Sequence, residues 1–182
     1  TAICASYAGQ YPQNVSKLVL HGALWMEGLA PTGHTAATLG AYRTVAAASM
    51  MTRWAIGLDA SDIARVVSEE ARREWCEQTV ACDPTHASTG LLRAPTGVMK
   101  DYAQCRESST DWYDPSLIQA PVQIVVGAWD AETTPAQGQR LFERLTHAAT
   151  KQMTIIGEGT HSLMLERNRH QLHGIVAQFL LS

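Results

Sequence analysis

Long apolar runs, paired cysteines, an excess of one charge sign and internal repeats are all missing from this 182-residue sequence. No apolar stretch is long enough to cross a bilayer as a helix. Lys and Arg number 14 against 17 Asp and Glu, a formal net charge of −3 with the signs mixed along the chain. That balance gives no basic footprint for nucleic acid. Cys4, Cys76, Cys82 and Cys105 form no Cys-x-x-Cys pair, and no secretory signal is expected ahead of them. Free thiols in a reducing cytosol are therefore expected. No low-complexity tract occurs. What remains is 46% hydrophobic and 17% charged, which are globular values. The length suffices for one domain with a sizeable core.

The most informative stretch is Gly157-Glu158-Gly159-Thr160-His161. Met153 to Ile156 before it reads as a short apolar strand. Leu165 to Leu180 after it reads as an amphipathic helix, with Leu172, Ile175, Val176, Phe179 and Leu180 on one face. A histidine on a glycine-flanked loop at a strand end is held in place yet free of the ladder. Open α/β sheets bind ligands at the carboxyl ends of their strands, so His161 is a candidate acid/base group.

Pro121 to Val126 forms a second buried-strand run, and Gly127-Ala128-Trp129-Asp130 leaves its end. Asp130 is the first acid after that strand. Thr133-Thr134-Pro135 and a helix carrying Leu141, Phe142 and Leu145 follow. Strand, acid, helix, strand, histidine: this order brings Asp130 and His161 to one sheet edge. A carboxylate there would fix the histidine tautomer and stabilise the imidazolium. Glu158, on the histidine's own loop, and Glu132 are lesser candidates for the same task.

These residues resemble the last two strand ends of an α/β-hydrolase. The segments are Pro121–Pro135 (PVQIVVGAWDAETTP) and Ile156–Glu166 (IGEGTHSLMLE). Thr1–Ala23 (TAICASYAGQYPQNVSKLVLHGA) is similar to the helix after that family's nucleophile elbow and the strand that follows. The resemblance implies Asp130 as triad acid and His161 as triad histidine. It implies a parallel sheet of strands 15–21, 121–127 and 152–157 built from 1–23 and 113–182, with 24–112 as an all-helical cap. The family's Gly-x-Ser-x-Gly turn occurs nowhere in the sequence. The chain is thus expected to be the carboxyl-terminal part of a hydrolase, starting just after the elbow and inactive alone. An upstream half or a second chain would supply the serine, the oxyanion amides and the strand that pairs the open edge at 15–21. Carboxylic esters are the default substrate, with carbon–carbon or amide hydrolysis and peroxidase-type side chemistry also permitted by the fold. No metal or organic cofactor is called for. A non-catalytic binding module or relic is the alternative, and an amino-terminal nucleophile enzyme using Thr1 is a further one.

Within residues 24–112, helices are expected at 36–56, at 62–80 with Ser61 as N-cap, and near 91–105. Ile63, Val66, Val67, Ala71 and Trp75 would share one side of the second. The charged run Glu69 to Glu74 reads as a solvated face. Trp25, Met26 and Trp54 are candidates to line a substrate pocket, alongside a core-forming role. His21, at a strand end, reads first as structural. His170 and His173 would share a helix face, with Glu166 one turn before His170, so a metal site is conceivable there though not favoured.

Overall fold

A computed structural model describes residues 1–25 and 35–182. Met26 lies outside the described residues. In chain order the first elements are helix α1 (Ala2–Gln10), strands β1 (Leu18–His21) and β2 (Tyr42–Val45), and helices α2 (Ala47–Trp54), α3 (Ala60–Val66), α4 (Glu69–Ala81) and α5 (His86–Thr89). Strand β3 (Leu92–Pro95), helix α6 (Gly97–Glu107), strand β4 (Val122–Gly127), helix α7 (Pro135–Arg144), strand β5 (Lys151–Ile156) and helix α8 (Arg169–Leu181) complete them. They fall into two compact units, Thr1–Leu29 with Asp111–Ser182, and Ala30–Thr110.

The first unit is built on a parallel sheet in the order β1-β4-β5. Leu18 pairs with Val122, and Val122 with Lys151, so the carboxyl ends of β4 and β5 lie level. Every residue of β4 is buried, as a central parallel strand covered on both faces requires. Successive side chains point to opposite faces. Ile124 joins Leu20, Leu141 and the α1 residues Ala5 and Ala8 in one cluster, whereas Val125 joins Ile156, Leu163 and Leu172 in another. The small Ala5 and Ala8 let α1 approach its neighbours closely, and both are fully buried. Helix α7 starts sharply because Thr134 and Gln137 form a reciprocal capping box with Pro135 at the first position.

Two boundaries in this unit differ from expectation. β1 begins at Leu18 rather than Val15, after a 3-10 turn at Pro12–Asn14. The last helix starts at Arg169, four residues late, because Leu163–Leu165 forms a separate 3-10 turn and Glu166 is extended. Leu172 and Phe179 of that helix are buried, but Leu180 is exposed.

The second unit is not all-helical. β2 and β3 form an antiparallel pair, Tyr42 opposite Pro95 and Val45 opposite Leu92. Tyr42, Thr44 and Val45 are strand-favouring residues placed just after Gly40, so the helix expected over 36–56 is confined to α2. Buried Asp83 fastens β3: its carboxylate accepts from the Arg93 backbone N–H at 2.8 Å and from Nε and Nη2 of the same guanidinium at 3.0 Å each. The guanidinium hydrogen bonds hold the Asp83 carboxyl well below the usual carboxylate range. The single helix expected over 62–80 is two. Asp59, not Ser61, caps α3 by accepting from the Asp62 N–H, and Ser68 caps α4 by accepting from Ala71 N–H. Val67 between them is extended. That break shifts the helical register, which is why Trp75 is exposed instead of continuing the Ile63–Val66 side. The expected helix over 91–105 likewise begins only at Gly97, after β3.

Candidate active site

Asp130 follows β4 and His161 follows β5, and two glycines bring their loops together. A Cβ on Gly127 would overlap the carbonyl of Gly159 and lie 2.9 Å from Thr160 O. No side chain fits there. The crossing is tied by Ala128 N–H to Ile156 O at 2.8 Å and by Trp129 N–H to Gly159 O at 2.9 Å.

Across this junction His161 Nδ1 lies 3.0 Å from Asp130 Oδ2. The Asp130 side chain is 1% exposed and the imidazole 38% exposed. Asp130 is saturated with donors. Its Oδ1 accepts the backbone N–H groups of Glu132 at 2.9 Å and Thr133 at 2.8 Å, and Oδ2 accepts the Thr133 hydroxyl at 2.8 Å. Burial alone would push its pKa up, but the hydrogen bonds from His161 and Thr133 outweigh it and hold the carboxyl below its ordinary value. An ionised Asp130 makes Nδ1 the protonated ring nitrogen, which leaves Nε2 with the lone pair that can accept a proton.

The third strand contributes from below. Gly22, at φ +54°, ends β1 beneath the imidazole: a Cβ there would lie 3.1 Å from His161 Cε1 and 3.4 Å from Thr133 Oγ1. His21 precedes it. Its Nε2 is buried and finds no partner among the described residues. Burial lowers the His21 pKa, the nearby His161 lowers it further, and Asp130 partly offsets both. A neutral imidazole thus borders the Asp130–His161 pair.

The rival acids take other roles. Glu158 is exposed at φ +54°, and Glu132 serves Asp130 through its backbone. Glu166 is fully buried, and its carboxylate accepts the N–H of Thr160 at 3.0 Å and the Thr160 hydroxyl. His170 and His173 meet edge to face with ring centroids 6.2 Å apart. No group of three His, Cys, Asp or Glu residues suited to a metal occurs among the described residues.

Asp130 and His161 are the sequence candidates that the fold brings together. Trp25 is 2% exposed within the core cluster of the sheet unit, with the Arg144 guanidinium 5.8 Å from its ring centroid. Trp54 belongs to the other unit, where it meets Trp75 edge to face at 5.5 Å. The sequence did not point to Thr133 as a partner of Asp130, and it offered the carboxylate of Glu166 to a metal with His170 and His173 rather than to Thr160. Their only trace was a threonine beside the acid and a glutamate at the mouth of an apparent helix.

The family profile for serine aminopeptidase, S33, matches residues 1–168. No curated protein sequence matches the chain. Among solved structures, a monoacylglycerol lipase from Paleococcus ferrophilus is similar at 18% identity and a TM-score of 0.58, over 98% of this chain and 63% of that one. A 2-hydroxy-6-oxo-6-phenylhexa-2,4-dienoate hydrolase from a Rhodococcus species follows at 17% and 0.57, over 100% and 60%. A serine hydrolase involved in carbazole degradation is similar at 17% and 0.54, again over 100% and 60%. The chain therefore spans 60% to 63% of the length of these structures. Identities this low speak for the fold, and the fold agrees with the profile. With residues 1–168 matched and a parallel sheet shared with these hydrolases, the chain belongs to the serine aminopeptidase family of the α/β-hydrolase fold.

Proposed function

We propose that residues 1–182 carry the acid and base of a Ser-His-Asp hydrolase acting on a carboxylic ester or related carbonyl substrate. The observation that supports this most is the 3.0 Å contact between His161 Nδ1 and a buried Asp130 at the level ends of adjacent parallel strands. The serine and oxyanion amides belong to chain outside these residues. The serine attacks the carbonyl while His161 Nε2 takes its proton. The same proton then goes to the leaving group, and His161 next activates the water that opens the acyl-enzyme. Asp130 holds the tautomer and stabilises the imidazolium. Oxyanion donors individually contribute about 3 kcal/mol to such a reaction. Substrate choice is assigned to residues 24–112, with Trp54 the first side chain to vary across an ester chain-length series.

The test is His161→Ala in the longer protein that includes the nucleophile. Turnover of a p-nitrophenyl ester should fall by about 10³-fold or more, leaving only binding and oxyanion stabilisation. Parental turnover in that variant would remove His161 from the chemistry. Absence of hydrolysis in the parent, on esters, amides and carbon–carbon substrates alike, would favour a binding module.

A further inference from the structure

We propose that Glu166 is a positioning residue for His161, acting through Thr160. The assignment rests on the acid–base role given above to His161. Asp130 fixes the imidazole from one side, but a ring is only as well placed as the backbone carrying it. Besides the backbone bonds of Trp129 N–H to Gly159 O and Leu163 N–H to Thr160 O, that backbone is held by one buried carboxylate.

Glu166 is 0% exposed, and the proton transfers described above make no use of it. Its Oε2 accepts the Thr160 N–H at 3.0 Å, and its Oε1 accepts the Thr160 hydroxyl. The same hydroxyl oxygen accepts the N–H of Ser162 at 3.1 Å. Both neighbours of His161 are therefore anchored to one side chain, directly or through one hydroxyl. The carboxylate is itself fixed, because Glu166 N–H donates to Leu163 O at 3.2 Å and Leu163 is part of the buried cluster beneath β5. Arg169 Nη1 donates to the Glu166 carbonyl at 3.0 Å and ties the same residue to the start of α8. The 3-10 turn and the extended Glu166 that delay α8 are what aim the carboxylate back at Thr160. A continuous helix from residue 165 would place it on a helix surface instead. Buried polar groups of this kind rigidify their surroundings only when every member is satisfied.

The charge itself is not required. A glutamine can accept the Thr160 N–H through its carbonyl and donate to the Thr160 hydroxyl, which still accepts from Ser162. Truncation to alanine leaves the buried Thr160 N–H without a partner and frees the loop. Displacements near 1 Å remote from the chemistry can cost about 100-fold in rate.

The experiment compares Glu166→Ala, Glu166→Gln, Thr160→Val and His161→Ala in the longer protein with its nucleophile. The readouts are kcat and KM separately, urea unfolding, and the low-field Nδ1–H proton resonance of His161. Glu166→Ala should unfold cooperatively, lose about 100-fold in kcat with KM near parental, and broaden or lose the resonance. Glu166→Gln should restore most of both, and Thr160→Val should lose about tenfold in kcat. Parental kcat and resonance in Glu166→Ala would overturn the proposal. If that variant does not fold, the same parental values in Thr160→Val would overturn it. If His161→Ala retains turnover, the acid–base role fails, and the resonance in the Glu166 variants still decides whether Glu166 holds the ring.

Discussion

Asp130 shows how a buried carboxylate is kept ionised. Three donors besides His161 converge on it, two backbone N–H groups and the Thr133 hydroxyl, all within 2.9 Å. Each hydrogen bond to a charged group contributes about 1.5–3 kcal/mol, enough together to offset desolvation. Linkage turns the depressed pKa into a pH dependence of stability. Because the folded value lies below the unfolded 3.8, the contribution is complete above the unfolded value. It is lost as pH falls through the folded one. The urea-unfolding free energies of parent and Asp130→Asn should thus differ most near neutral pH and converge on acidification. A gap unchanged down to strongly acid pH would mean that Asp130 is not the ionised partner assumed here. His21 adds to the same trend from higher pH: with its pKa lowered in the fold, the unfolded chain binds more protons below the usual histidine value of 6.5, so its contribution also falls on acidification.

Between elements, the decisive contact is glycine against glycine where the loops after β4 and β5 cross. Gly127→Ala would drive a methyl into the Gly159 carbonyl. The β5 loop must then withdraw, taking His161 from Asp130, with a cost above about 3 kcal/mol, beyond ordinary overpacking. Gly157→Ala is the matched control, since nothing lies within 4 Å of its added carbon. Urea midpoints of the two variants should therefore separate widely, and equal midpoints would contradict the crossing. The sequence displays both glycines but not which one the fold needs, because close backbone approach leaves no periodic pattern. Strands β4 and β5 were legible for the opposite reason. Apolar runs bounded by Pro121 and the glycines Gly127 and Gly157 announce strands, fully buried in β4 and only partly so in β5, and the polar residues just past them are the candidates for a site. The β2–β3 pair was not legible. Its strands are four residues each and lie among helix formers, and their anchor, Asp83, is paired ten positions away with Arg93. The sequence set Glu166 beside His170 and His173 as a conceivable metal ligand rather than behind Thr160, because its neighbours carry helical spacing while its own backbone is extended.

At the scale of the whole chain, the parallel sheet of the described residues has three strands, and the molecule spans 60% to 63% of the hydrolases it resembles. An acid and a base alone cannot carry out acyl transfer, because a neutral serine becomes a nucleophile only when its hydroxyl lies within reach of the imidazole on a strained turn. None of the 182 residues forms a Gly-x-Ser-x-Gly turn. Ser6 lies on α1, where its Oγ accepts from Gln10 Nε2 at 3.0 Å, and Ser162 lies on the loop of His161 itself, its N–H donating to Thr160 Oγ1 at 3.1 Å; neither sits on a Gly-x-Ser-x-Gly turn. Residues 1–182 incubated with a fluorophosphonate should therefore acquire no mass increment by intact mass spectrometry. A longer protein carrying the elbow should gain one phosphonyl group per chain, and His161→Ala should slow that labelling sharply while leaving the serine in place. Stoichiometric labelling of residues 1–182 alone would show that one of their own serines reaches His161, and the assignment of the nucleophile to chain outside them would fall.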